Sequence, residues 1–149
     1  MKKVLTLVVA ALLATLAQPA VPLIAAPLTA TAAGAVKVTV HYKGKGPVDA
    51  SHKLWVWVFD SPNIGPGSMP IGQVALDKND LDAVFEGVAA DTVWIAVAYD
   101  ESGAMMGDAP PPSGTPIGIL SGKDGAPVAV TPGAKDAAVL TFDDSQRMP

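Results

Sequence analysis

The sequence predicts an all-β protein, an antiparallel β-sandwich of about seven strands, prealbumin-like or immunoglobulin-like, after an N-terminal signal peptide. Three observations predict it. Apolar residues alternate with polar ones in short runs, turn-forming residues separate the runs (14 glycines and 14 prolines in 149 residues), and few stretches have room for a long helix. Short strands with turns between them, and no alternating helices, are typical of sandwiches.

The start of the chain has the layout of a secretory signal. The basic residues Lys2 and Lys3 precede an uncharged apolar run, Val4–Leu16. That run is shorter than the roughly 20 apolar residues of a membrane-spanning helix. We therefore expect a secreted or periplasmic protein, with an uncleaved N-terminal anchor as the alternative and the only expected route to a membrane.

Ala30-Thr31-Ala32 matches the pattern of small residues that precedes a signal-peptide cut. Residues 1–32 are thus predicted to be the signal peptide, and residues 33–149 one sandwich domain. A cut after Ala17 is an earlier option.

Three strands are predicted with clear patterns. Val36–Tyr42 alternates, with Val36 and every second residue after it apolar, as in a strand with one buried face. Leu54–Asp60 and Thr92–Asp100 are rich in aromatic and β-branched residues, which favour strands. Two shorter strands are expected near the end of the chain, over Val128–Val130 and Ala137–Phe142.

The segment Gln73–Glu86 admits two interpretations. Leu81, Val84 and Phe85 have helical spacing. The preferred interpretation is a hairpin of two strands, Gln73–Leu76 and Ala83–Phe85, because strands precede and follow at short spacing.

Two segments rich in glycine and proline are predicted to be long loops. The first is Ser61–Gly72, and the second is Ser102–Ser121, around Pro110-Pro111-Pro112. Long loops on a rigid scaffold often carry the surface that a protein uses. We expect these two loops to present the functional surface.

The order of turns and strands resembles the carboxypeptidase regulatory-like domain, a prealbumin-like (transthyretin-like) sandwich. The resemblance covers about Ala35–Asp100 and rests on the strand Val56–Asp60, the turn Phe85-Glu86-Gly87-Val88 and the strand that begins at Thr92. It implies a non-catalytic accessory module outside the cytoplasm. The loop at Ser102–Ser121 departs from the pattern.

The search for catalytic or metal-binding residues is mostly negative. The chain has no cysteine and two histidines, His41 and His52, which the pattern places on a wet strand face and in a turn. The acidic segment Asp77–Asp82 does not fit the calcium loop of an EF-hand, and the methionines form no copper-binding cluster. We therefore predict no catalytic residue, no metal and no cofactor.

The charge balance bears on the partner. Fourteen acidic residues against ten basic ones give a net charge of −4. Proteins that bind nucleic acid normally present a basic face, so a nucleic-acid partner is not expected.

The second predicted strand is apolar on both faces. Leu54, Val56 and Val58 share one face, and Trp55, Trp57 and Phe59 share the other. A sandwich strand normally has one wet face, so something is expected to cover the second. If the strand that begins at Thr92 is its neighbour, Ala96 and Ala98 leave room for the tryptophan rings.

Two explanations of this second face remain open: a loop folds back over the aromatic side chains, or they form an exposed binding platform. The candidate ligand- or partner-binding residues are Trp55, Trp57, Phe59 and Trp94. The predicted function is an exported, non-catalytic binding or structural module for a protein or envelope component. The alternatives are carbohydrate binding on the aromatic platform and, less favoured, a loop-built hydrolase or a copper-binding protein.

Overall fold

The computed structural model describes residues 33–65 and 67–149, so the predicted signal peptide lies outside the described residues. The described part contains seven strands in two packed sheets, which confirms the predicted β-sandwich. The strands are β1 (Gly34–Tyr42), β2 (Leu54–Phe59), β3 (Gly72–Leu76), β4 (Leu81–Val88), β5 (Trp94–Tyr99), β6 (Ile117–Ile119) and β7 (Ala138–Phe142). Over these same residues, no helix has the length and apolar character needed to cross a membrane.

One sheet has three strands in the order β4-β1-β7, and the other has four in the order β3-β2-β5-β6. All pairings between the seven described strands are antiparallel except that of β1 with β7, which run parallel, with Val40 opposite Leu140. Parallel neighbours need a long crossover, and here most of the domain lies between the two strands.

The core lies between the two sheets and follows the alternation in the sequence. Val36, Val38 and Val40 of β1 face Leu54 and its apolar neighbours on β2, and all are fully buried. Each such side chain contributes about 1.5–3 kcal/mol on burial, so the alternating pattern fixes which face of each strand points inward.

The segment Gln73–Glu86 forms two strands, so the helical interpretation is wrong. The two predicted strands are present as β3 and β4, but their predicted pairing in a hairpin is wrong, because β3 pairs with β2 and β4 pairs with β1, in opposite sheets. Leu76 and Phe85 both enter the one core, each from its own sheet. The acidic turn between them crosses the edge of the sandwich, where Asn79 accepts a hydrogen bond from the Tyr42 amide and donates one to its carbonyl.

The end of the chain differs from the prediction in two ways. Val128–Val130 contributes a single bridge, between Val130 and Val93, and no strand. Strand β6 instead arises inside the segment predicted to be a loop over Ser102–Ser121. Gly118 of β6 is buried, and a side chain there would collide with Phe142. Strand β6 therefore needs glycine at its centre, although glycine in a sequence usually indicates a loop.

Candidate functional site

The outer face of the four-stranded sheet carries a second apolar cluster. Strand β5 is the neighbour of β2, with Trp55 opposite Ala98 and Trp57 opposite Ala96, which confirms the proposed fit of tryptophan rings beside alanines. Trp57 is 5% exposed and Phe59 is 8% exposed, although they point away from the main core. Something therefore covers this face of the sheet.

The cover is formed by two loops, residues 60–71 between β2 and β3 (the 60–71 loop) and residues 100–116 between β5 and β6 (the 100–116 loop). The Trp57 indole Nε1 donates a hydrogen bond to the Gly107 carbonyl at 3.0 Å. Ile64 and Met105, one from each loop, pack against the outer cluster. Of the two explanations left open by the sequence, the structure shows covering loops.

The 100–116 loop is held at its start by a buried carboxylate. Asp100 is 2% exposed and accepts hydrogen bonds from the hydroxyl of Ser102 at 2.9 Å and from the amide of Met105 at 2.9 Å. A buried carboxylate is costly unless such donors surround it, so these bonds fix the course of the loop over the sheet.

Gly107 brings the same loop close to the sheet. Its φ of +78° lies in the left-handed region that favours glycine, and a side chain at this position would collide with the ring of Trp55. The Trp55 Nε1 is the one buried side-chain nitrogen or oxygen in the described part of the chain without a hydrogen-bond partner. The loop packs against the Trp55 ring without supplying an acceptor for this nitrogen.

Between the two loops lies an apolar pocket of about 560 Å³. Its floor is the outer face of the sheet. Its walls come from the two loops and from the segment 146–149, which pairs with residues 114–117; the Ile117 amide donates a hydrogen bond to the Gln146 carbonyl. The floor residues are Trp57, Phe59, Ala96, Ile117 and Ile119. Asp108 is the one charged side chain among the described lining residues.

The structure divides the four predicted binding residues. Trp57 and Phe59 line the pocket. Trp55 packs under Gly107, and Trp94 is half-buried opposite Phe59, and neither is among the lining residues. Sequence analysis missed Ile117 and Ile119, and the signal that would have found them is their alternation about Gly118, which places both on one face.

The two histidines each contact one carboxylate. His41 Nδ1 lies 2.5 Å from Asp80 Oδ1, and His52 Nδ1 lies 3.1 Å from Asp49 Oδ1. Within residues 33–65 and 67–149, no group of three or more histidine, aspartate or glutamate side chains is close enough to hold a metal ion. The acidic turn serves β1 instead, since Asp82 accepts a hydrogen bond from the Thr39 hydroxyl.

A tyrosine pair closes the core near the ends of β1 and β5. The rings of Tyr42 and Tyr99 stack with their centroids 4.4 Å apart, and the Tyr42 hydroxyl donates a hydrogen bond to Asp144. Burial, followed by this hydrogen bond, raises the pKa of Tyr42 far above its usual 10.0. The same bond lowers the pKa of Asp144.

Comparison of the chain with protein-family models, with curated proteins and with solved structures finds no match.

Proposed function

We propose that the protein is an exported, non-catalytic binding module and that it binds its ligand in the pocket over the outer face of the four-stranded sheet. The observation that carries this proposal is the pocket itself, an apolar cavity of about 560 Å³ walled by two long loops. Pockets of roughly 300–1,000 Å³ with mostly apolar lining are typical of sites for small molecules.

Several features support binding in this pocket over binding on an open aromatic platform. Trp57 and Phe59 are 5% and 8% exposed and lie beneath the two loops, so they form no open platform for a sugar. The floor is held by hydrogen bonds, because the indole of Trp57 donates one to the Gly107 carbonyl and Ala96 is paired with Trp57 in the sheet. Because the apolar floor is already formed, less conformational entropy is lost when a ligand binds.

The wider assignment rests on the sequence. The resemblance to carboxypeptidase regulatory-like domains and the N-terminal signal layout support an accessory module outside the cytoplasm. The sandwich is the architecture that the resemblance implies. The histidine–carboxylate pairs are exposed or half-exposed; one joins His41 of β1 to Asp80 of the acidic turn, the other joins His52 to Asp49 within a turn, and neither lines the pocket, which supports a non-catalytic protein.

The experiment is a titration of the purified protein with Nile red, a neutral dye that fluoresces in apolar sites. We expect saturable binding that is lost or weakened at least tenfold in Ala96→Leu, which fills the pocket, and in Ile119→Asp, which places a charge on its floor. The matched control is Val139→Asp, because Val139 faces outward on an edge strand of the other sheet and is 57% exposed.

Far-UV circular dichroism establishes that each variant keeps its strands. Wild-type dye binding in both folded pocket variants, or an equal loss in the Val139→Asp control, contradicts the proposal.

A further inference from the structure

The charges around the pocket restrict the ligand that it accepts. None of its described lining residues is a lysine or an arginine, and Asp108, which is exposed, is the one charged side chain among them. The two covering loops contain no basic residue at all, whereas Asp60, Asp100 and Glu101 lie in them beside Asp108. A bound ligand thus meets one charged side chain in the lining, and that charge is negative.

The basic residue nearest to the lining in sequence is unavailable to an anion. Arg147 precedes the lining residue Met148, but its guanidinium makes two hydrogen bonds to the Glu101 carboxylate, at 2.8 Å and 3.1 Å. It donates a third to the Gly114 carbonyl at 2.6 Å. This bidentate pairing holds the guanidinium of Arg147 against Glu101, at the start of the 100–116 loop, where the two charges neutralise each other.

An anionic ligand would therefore lose its water in this pocket without meeting a cation, which is costly. A cationic group at the pocket mouth would instead meet the Asp108 carboxylate, and the net charge of −4 would favour its approach. The apolar floor requires an aliphatic or aromatic body on the same molecule.

We propose that the pocket selects a cationic amphiphile, a small molecule with an apolar body and a positively charged group that pairs with Asp108. This inference rests on the proposed function, since it names the ligand class of the same site.

The experiment compares two probes with the same apolar chain, octyltrimethylammonium and octyl sulfate, by isothermal titration calorimetry below their micelle-forming concentrations. We expect the cation to bind about tenfold more tightly than the anion, because the exposed Asp108 carboxylate attracts the first probe and repels the second. The ratio should shrink toward one in 1 M salt, because salt screens exposed charges.

The decisive variant is Asp108→Asn, in which the ratio should fall to about one-third or less of its wild-type value. The matched control, Asp136→Asn, removes the same charge from an exposed turn that does not line the pocket, and should keep the wild-type ratio.

Equal affinity for the two probes, preference for the anion, or an unchanged ratio in Asp108→Asn overturns the inference. Loss of the ratio in Asp136→Asn also overturns it, since net charge alone would then explain the preference. If wild-type protein binds Nile red in the pocket but shows no charge preference, the ligand class fails while the proposed function stands. If the pocket variants do not alter Nile red binding, the proposed function fails as well.

Discussion

Gly107 shows how a single residue determines the distance between a loop and a sheet. It combines a left-handed φ with contact against the Trp55 ring, and its carbonyl accepts the hydrogen bond from the Trp57 indole. Only a residue without a side chain satisfies the first two conditions together. The packing of Trp55 and the hydrogen bond of Trp57, both on the outer face of β2, therefore depend on this one glycine.

Gly107→Ala tests this dependence, with Gly114→Ala as the matched control. Gly114 lies in the same loop and also has a left-handed φ, of +84°, but no atom lies near the position of an added Cβ. We expect Gly114→Ala to cost about 1–2 kcal/mol of unfolding free energy from backbone strain alone. Gly107→Ala should cost about 1–3 kcal/mol more from the collision with Trp55. Urea unfolding measures both, and equal costs would contradict the packing described for Gly107.

Among the elements of the fold, the 100–116 loop is attached to the rest of the domain at its beginning, middle and end. Asp100 holds its beginning, Gly107 its middle, and the pairing of Ile117 with Gln146 its end. The sequence shows only its prolines and glycines, because the long-range bonds that hold it join residues far apart in the chain. For the same reason β6, whose support comes from β5 and Phe142, was hidden inside a predicted loop.

Removing the carboxylate at the start of this loop should release it. We expect Asp100→Ala to cost about 1–3 kcal/mol, because the amide and hydroxyl donors that it satisfies lose their acceptor. Hydrogen exchange at the Met105 amide should accelerate, and tryptophan emission should shift to longer wavelength as the outer cluster becomes hydrated. Asp60→Ala, at an exposed residue that begins the other loop, is the control. Unchanged exchange at Met105 in the Asp100 variant would show that the loop is held by other contacts.

For the whole molecule, the sequence predicted the sandwich, the buried face of Val36–Tyr42 and the two apolar faces of Leu54–Asp60, but not the partners of all strands. Alternation in Val36–Tyr42 and the double apolar character of Leu54–Asp60 are local, so they are readable from the sequence. The sequence does not show whether β3 and β4 pair with each other or with the earlier strands β2 and β1. Leu76 and Phe85 are apolar and suited to burial in either arrangement, so the choice depends on the whole core. Two residues of the pocket floor, Trp57 and Phe59, were predicted from the sequence pattern. The other floor residues could be identified only from the structure, because they come from different strands.

Stability of the whole molecule should fall in alkali because of the tyrosine pair. The pKa values of Tyr42 and Tyr99 are both raised, with burial as the main cause, so the folded state favours their neutral forms. That contribution is fully present below the ordinary tyrosine pKa of 10.0 and is lost as the pH rises above it toward the folded pKa. We expect tyrosinate absorbance at 295 nm to appear above pH 10 and together with unfolding.

The chain has two tyrosines, so Tyr99→Phe leaves Tyr42 as the sole reporter. In that variant Asp144→Asn should lower the pKa of Tyr42, because the hydrogen bond to the carboxylate and its charge are removed, while burial keeps it above 10.0. A midpoint at 10.0 in the folded protein would contradict the buried, bonded state of Tyr42.

The parallel pairing of β1 with β7 has a consequence for the order in which the protein folds. The first described strand has its central place in the three-stranded sheet only when the last one lies beside it, with Thr39 opposite Val139. Until residues 138–142 are available, one edge of β1 has no partner and the apolar face of the sheet is incompletely closed. Pairings this distant along the chain form slowly, because the intervening loop must be closed before any contact rewards it. A chain with this topology therefore cannot complete its three-stranded sheet until residues 138–142 have been synthesised.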